Sequence, residues 1–293
     1  MRVFVIGATG ALGRCVLSEL LAHSHAVLGL ARSQDQAALL RGWGVQAIPG
    51  DLLAPGTYQH ALEGVDAVCN LASAVPPRPA DRALWQMNDL ILRQGTQGLL
   101  NATRRMGIRR VVQQSTDEVY LPQGATWLGE DAPLAPAPEA AAARDAEEAV
   151  LESGIPCAIL RAGRYYGAGS RWTELLGQRL REGAFETVHS GEHWVSPVHL
   201  FDMAQAVRLA LESESAQGIF NVCDDAPTTL RDLYGSLAAT TGAALRTQPT
   251  PPRRSGWRLS NRRLREKFGF VPYCPTALGA VADLLGTSAC EAT

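Results

Sequence analysis

Lysine is all but missing from this chain: Lys267 is the only one, and every other basic residue is an arginine. Lysine chemistry is thereby removed from nearly the whole sequence. An excess of one charge is missing too, because 27 basic and 29 acidic residues leave a formal net charge of -2. That balance gives no electrostatic footprint for nucleic acid, and the short clusters Arg104-Arg105 and Arg109-Arg110 read as solvated. The six cysteines are scattered with no CxxC spacing, so neither a metal site nor a disulfide framework is expected. No apolar run is long enough to span a membrane. Met1-Arg2 leads straight into a strand-like segment without a signal pattern. The expectation is a cytoplasmic protein with a small-molecule substrate and neither nucleic-acid nor membrane partners.

What is present is a large apolar fraction, 46% of 293 residues, enough for one or two cored domains. Val3-Phe4-Val5-Ile6 is a short β-branched run that reads as a buried parallel strand. A glycine-rich turn follows, and then Leu12, Val16, Leu17, Leu20 and Leu21 recur at helical spacing. Further strands are expected at residues 26–30, 45–48, 67–71, 111–114, 157–160 and 219–222. Helices are expected between them, at 84–106 and 140–152 among others. Alternating strands and helices predict an α/β fold, a Rossmann-type doubly wound parallel sheet with a small C-terminal substrate lobe. Residues 1–165 with 196–222 are assigned to the sheet domain, and 166–195 with 223–293 to the lobe. Residues 123–138, rich in proline, alanine and glycine, read as a surface loop.

Gly7-Ala8-Thr9-Gly10-Ala11-Leu12-Gly13 sits between that first strand and first helix. A helix N-terminus offers unpaired amides and partial positive charge to a pyrophosphate, and glycines let the backbone approach it. The context points to a dinucleotide. Cofactor type is read at the end of the second strand, where an acid suits the ribose of NAD and an arginine the 2'-phosphate of NADP. Ala31-Arg32-Ser33 carries no acid, which favours NADP(H) over NAD(H).

These features together resemble the extended short-chain dehydrogenase/reductase superfamily of sugar-nucleotide epimerases and dehydratases. Gly7 to Gly13 resembles its GxxGxxG loop. Gly50-Asp51-Leu52 resembles the acidic turn that holds the adenine. Residues 64–72 resemble the fourth strand and the loop beside the ribose, which the resemblance extends through Leu71, Ala72 and Ser73. Arg161 to Gly167 resembles "RPxxxYG", with Ala162 in place of proline. Val198 to Ala204 resembles "VHVDDVA", and Gly218 to Val222 resembles "GxxYNV". Cofactor contacts are implied at Gly7, Thr9, Gly10, Ala11, Leu12, Gly13, Arg32, Asp51, Leu52, Leu71, Ala72, Ser73 and Arg144.

The catalytic end is less orthodox. Ser115-Thr116-Asp117-Glu118-Val119-Tyr120 matches a segment of dTDP-glucose 4,6-dehydratases letter for letter. The resemblance implies that Thr116 orients a carbonyl or hydroxyl and that Asp117 and Glu118 transfer protons. A solvated pair of acids at a strand end is the plainer reading. The family's Tyr-x-x-x-Lys pair is missing, since no tyrosine here has a basic residue four positions on. Alignment through Pro136 puts Ala140 at the tyrosine, Arg144 at the lysine and Glu148 at the glutamate that follows. Arg144 can bind a ribose but cannot be deprotonated. The family's helix asparagine falls at Leu92, with Asn88 one turn earlier.

Other proton sources to consider are Tyr120, Tyr165, Tyr166 and His199, the last two with structural roles as the plainer alternative. The C-terminal lobe carries Trp172, Trp194 and Trp257 with Arg171, Arg179, Arg181, Arg253, Arg254 and Arg258. These could bind a nucleotide-sugar diphosphate or be ordinary core and surface residues. Two functions remain open: an NADP-dependent reductase, epimerase or dehydratase-like enzyme with a non-standard proton donor, and a non-catalytic NADP(H) sensor or scaffold. The alanine-rich helix from Ala140 to Ala149 would permit a homodimer.

Overall fold

The structure, a computed structural model, describes residues 1–76, 81–136, 138–187, 191–247 and 256–285. Seven strands form its main sheet: β1 (Arg2–Ile6), β2 (Ala26–Ala31), β3 (Gln46–Pro49), β4 (Ala67–Asn70), β5 (Val111–Thr116), β6 (Cys157–Ala162) and β7 (Gly218–Val222). Their order is β7-β6-β5-β4-β1-β2-β3. β1 pairs in parallel with both β2 and β4, β2 with β3, and β4 with β5. This is the expected Rossmann-type doubly wound sheet. The chain winds outward from β1 to β3, then crosses back to β4 and winds the other way. The carboxyl ends of β1 and β4 therefore flank the switch point, where such sheets bind ligands.

Sequence explains the local choices. Val3 to Ile6 are buried, as an apolar run enclosed on both faces must be. In α1 (Ala11–Ala22), Leu12, Val16, Leu17 and Leu20 form the buried stripe. Ser33 caps α2 (Gln34–Gly42) by accepting the Gln36 amide, with Asp35 in the first turn and Arg41 in the last. The single helix expected over 84–106 is instead segmented. A 3-10 turn leads into α3 (Gln86–Leu90), a π-helical turn spans Ile91–Gly95, and α4 (Thr96–Arg105) follows. A π-turn is one residue inserted into the helical ladder, which composition does not reveal. Helix α5 spans Ala141–Leu151.

Two compact units emerge. The first comprises Met1–Val119, Pro136–Arg161 and Ala204–Phe220, the second Tyr120–Ala135, Ala162–Met203 and Asn221–Thr293. Phe4, Leu28, Tyr58, Leu99, Val111 and Ile159 centre the core of the first. Tyr166, Trp172, Leu176, Phe185, Leu233 and Leu284 centre that of the second. Residues 120–135, 162–165, 196–203 and 221–222, expected with the sheet, fall in the second unit. There Arg164–Tyr166 pairs in parallel with Pro197–His199. The 123–138 loop also contains a short strand, Trp127–Leu128, paired with Arg258–Leu259. Two residues are too few to show a period.

Candidate functional site

The glycine loop is shaped by its backbone. Gly7 has φ +79°, and a Cβ there would lie 2.8 Å from the Leu71 carbonyl oxygen. A Cβ on Gly13 would lie 2.2 Å from the Gly7 carbonyl oxygen and 2.5 Å from that of Ala8. The Gly10 amide donates to the Gly7 carbonyl at 3.0 Å, closing the turn. Helix α1 starts at Ala11 with no side-chain cap and no acid in its first turn. Among the described residues no side chain caps the amides of Ala11, Leu12 and Gly13, which leaves them as an anion cradle. This donor set fits a pyrophosphate. Thr9 is half-buried beside it.

Arg32 follows β2 directly and is exposed, its amide held by the Gln36 Oε1 at 2.8 Å. Asp51 folds into a turn in which its Oδ1 accepts the Leu53 amide at 2.9 Å, and Leu52 beside it is buried. After β4 the Leu71 amide bonds to the Ile6 carbonyl, so the loops leaving β1 and β4 touch. Leu71 is buried, Ala72 half-buried and Ser73 exposed. Asn88, one turn from the expected asparagine position, is buried, and its Oδ1 accepts the Ala74 amide at 2.9 Å.

Strand β5 runs two residues further than expected, so Thr116 ends the strand and Asp117 to Val119 form a 3-10 turn. The Thr116 Oγ1 accepts the Glu118 amide at 3.3 Å and lies 3.4 Å from the Asp117 Oδ1. Asp117 is buried and Glu118 exposed. Directly behind Thr116, Ser115 donates to the Glu147 Oε1 at 2.5 Å. Arg161 donates to the same oxygen at 2.9 Å and to Oε2 at 2.6 Å. This buried fork ties α5 to β5 and β6.

That fork distinguishes the two adjacent glutamates of α5. Glu147 is buried and Glu148 exposed, so the glutamate that anchors the helix is Glu147. Counting back by the family's spacing puts Ala143 at the lysine position and residue 139, a glutamate, at the tyrosine. The alignment through Pro136 places Ala140 and Arg144 at those positions instead, one residue further along. Arg144, half-buried on α5, is rotated by about 100° from the lysine position. Neither register contains a Tyr-x-x-x-Lys pair.

The remaining candidates have structural surroundings. Tyr120 is buried and donates to the Asn221 Oδ1 at 2.7 Å. Tyr165 is half-buried, while Tyr166 and His199 are buried against one another in the second unit. Burial lowers the His199 pKa, partly countered by Asp283. The Arg258 guanidinium lies over the rings of both Trp127 and Trp194, 4.1 and 4.2 Å from their centroids. Trp257 donates to the Tyr120 carbonyl at 2.9 Å. Trp172 is buried, with Arg164 over its ring. Arg179 lies 3.7 Å from Glu186. Arg253, Arg254 and Cys290 lie outside the described residues. Among the described residues no helix is long and apolar enough to cross a membrane.

Residues 3–223 match the model of the NAD-dependent epimerase/dehydratase family. The chain belongs to that family. It is 31% identical to a 3-diazoavenalumate denitrifying reductase of a Streptomyces species, covering 95% of each chain. It is also 31% identical to 4-hydroxy-2-methyl-3-oxo-4-farnesyl-3,4-dihydroquinoline-1-oxide ketoreductase of Stigmatella aurantiaca, over 83% of this chain and 74% of that protein. Among solved structures it resembles the dTDP-glucose 4,6-dehydratase DesIV of Streptomyces venezuelae, with NAD and TYD bound. The TM-score is 0.83 at 24% identity, covering 97% and 96% of the two chains. Membership and these relatives support an enzyme with an oxidoreductase- or epimerase-like role that uses a nicotinamide dinucleotide.

Proposed function

We propose that this protein is an NADP(H)-dependent reductase of a carbonyl group on a small molecule. The observation that carries this reading is the anchoring of α5 by Glu147, which leaves alanine where the family places lysine. Without an ammonium beside it, no phenol there has its pKa lowered enough to take a proton from an alcohol near neutral pH. Reduction asks less: a carbonyl held in place, and a proton from a hydroxyl or water. Three relatives matched over 83% or more of the chain are named as reductases, in keeping with this direction, and a fourth is a dTDP-glucose 4,6-dehydratase.

In this reading the amides around Gly7, Thr9, Gly10, Ala11, Leu12 and Gly13 hold the pyrophosphate. Asp51 and Leu52 flank the adenine, and Leu71, Ala72 and Ser73 the nicotinamide-side ribose. Arg32 pairs with the 2'-phosphate. The bound cofactor supplies the hydride. Thr116 donates a hydrogen bond to the substrate oxygen, with Asp117 behind it and Glu118 at the surface as the proton entry. Arg144 is left a ribose contact at most. The five described cysteines are all free, in keeping with a reducing cytoplasm. A homodimer through α4 and α5 fits the small side chains of α5 and is checked by light scattering.

The test is NADPH oxidation with a panel of ketones, aldehydes and nucleotide sugars. Turnover is expected, and Thr116→Val is expected to reduce it by about tenfold or more, the cost of a lost transition-state hydrogen bond. Arg32→Ala is expected to weaken NADPH binding by roughly 10- to 100-fold and leave NADH unchanged, because only NADPH carries the 2'-phosphate. Cofactor binding without turnover on any substrate would favour the sensor instead. The missing pair is the one feature that suits it.

A further inference from the structure

Arg258 carries a half-buried positive charge that no carboxylate answers. Among the described residues it forms no ion pair, and its Nε is shut off from solvent without an acceptor. The arginines that follow it in the chain are committed. Arg262 lies 3.8 Å from Glu266, Arg263 2.5 Å from Asp131 and Arg265 2.6 Å from Asp225.

The charge is also held in place. Three segments of the second unit meet at Arg258. Its guanidinium lies over the Trp127 and Trp194 rings, and its Nη1 donates to the Ala125 carbonyl at 3.1 Å. Arg258–Leu259 pairs with Trp127–Leu128. The Trp257 amide donates to the Trp194 carbonyl at 3.1 Å. The Ser196 hydroxyl accepts the Leu259 amide at 2.8 Å and donates to the Trp257 carbonyl at 3.0 Å.

Ring faces attract a cation without neutralising it, and a partly desolvated charge with no counter-charge is costly. A role as glue among the three segments accounts for the ring contacts and the bond to Ala125. It leaves the charge unanswered. The donors that remain, on the two Nη atoms, lie in the guanidinium plane, where a carboxylate accepts two parallel hydrogen bonds. Trp127 is 49% exposed, so open indole surface lies beside that charge and suits a flat apolar body. A nucleotide diphosphate carries more charge than one guanidinium answers, and the next three arginines are already paired.

We infer that Arg258, Trp127 and Trp194 form a binding site for the carboxylate of a small, flat aromatic acid. The site lies wholly within the second unit. The inference goes beyond the reduction proposed above and does not rest on it. A substrate and an effector bearing this group share the same recognition chemistry, and turnover separates them.

The experiment is calorimetric titration of the full chain with 2-naphthoate, 2-naphthamide, cyclohexanecarboxylate and UDP, with thermal melts alongside. Wild type is expected to bind 2-naphthoate at least about tenfold more tightly than 2-naphthamide, the worth of a charge-assisted hydrogen bond. It is expected to prefer 2-naphthoate to cyclohexanecarboxylate and to UDP. Arg258→Met is expected to erase the difference between acid and amide. Trp127→Ala, at a half-exposed position, is expected to erase the preference for the flat acid over cyclohexanecarboxylate, which tests the site even if Arg258→Met fails to fold. NADPH oxidation with benzoylformate and its methyl ester separates the two sources. A KM raised by Arg258→Met for the acid alone marks a substrate carboxylate; 2-naphthoate binding lost with both KM values unchanged marks an effector. Wild type that does not distinguish acid from amide overturns the inference, as does folded Arg258→Met that still does, whatever its melting point. UDP as the tightest ligand overturns it in favour of a diphosphate site. Absence of turnover on both substrates counts against the reduction and leaves the calorimetric result to decide the site.

Discussion

Replacing Glu147 with glutamine tests the placement of α5, and with it the reading of the catalytic end. The side chains of Arg161 and Glu147 are 3% and 4% exposed. Both carboxylate oxygens are occupied: Oε1 accepts Arg161 Nε and Ser115 Oγ, and Oε2 accepts Arg161 Nη2. Glutamine offers one oxygen and one amide nitrogen, so a donor must face a donor and the guanidinium stays buried without its counter-charge. Breaking a buried pair from one side costs about 3–5 kcal/mol. For a chain of this size that is a fall of roughly 10 °C in melting temperature, and a large share of the ~5–15 kcal/mol that holds an ordinary protein folded. Glu148→Gln, one residue away and exposed, is expected to stay within about 0.5 kcal/mol of wild type. Urea unfolding of both variants at neutral pH reads the difference. Equal effects, or a Glu147→Gln loss below about 1 kcal/mol, would refute the anchoring and restore the register that puts Arg144 at the lysine position.

Gly13→Ala drives a Cβ into two backbone carbonyls that cannot swing aside; NADPH titration should show binding lost, while Gly42→Ala, with open space around it, should bind normally. Glu130 is buried, and that burial raises its carboxyl pKa despite the Asn221 amide and Arg263 nearby. A raised folded-state pKa gives stability that is full below the unfolded value and lost as pH rises through the folded one. Glu130→Gln should therefore melt higher than wild type at pH 8 and show no such advantage near pH 4, in paired thermal scans. Tyr120→Phe leaves the buried Asn221 Oδ1 without its donor and should cost about 1–3 kcal/mol, measured by urea unfolding.

The first βαβ unit was legible because every local preference agreed with the fold. A β-branched run, a glycine turn and a helical stripe from Leu12 to Leu20 each admit one reading, and together they specify the switch point of the sheet. The cofactor loop inherits that clarity, since its glycines are demanded by backbone contacts within a few residues. The end of the site did not, and for a definite reason. Residues 139 to 149 are mostly alanine with two adjacent glutamates, so sequence spacing has no way to choose between Glu147 and Glu148. Only burial separates them, and burial is set by Arg161 on β6 and Ser115 on β5, far away in the chain. The π-turn at Ile91–Gly95 hides in the same manner, because an inserted residue leaves composition untouched.

The consequence reaches the chemistry. A helix register fixed by a buried ion pair is discrete: it is one residue or the next, with about 100° between them. In the register that Glu147 imposes, the lysine position is held by Ala143, itself buried. A small apolar residue packed there leaves neither a cation to tune a phenol nor an arginine to stand in for one. In the proposed reduction the proton would then come from water or from the end of β5, where Thr116 and Asp117 lie within hydrogen-bond reach of each other. The same ion pair that removes the usual base from α5 holds Ser115, and hence the Thr116 hydroxyl, in place.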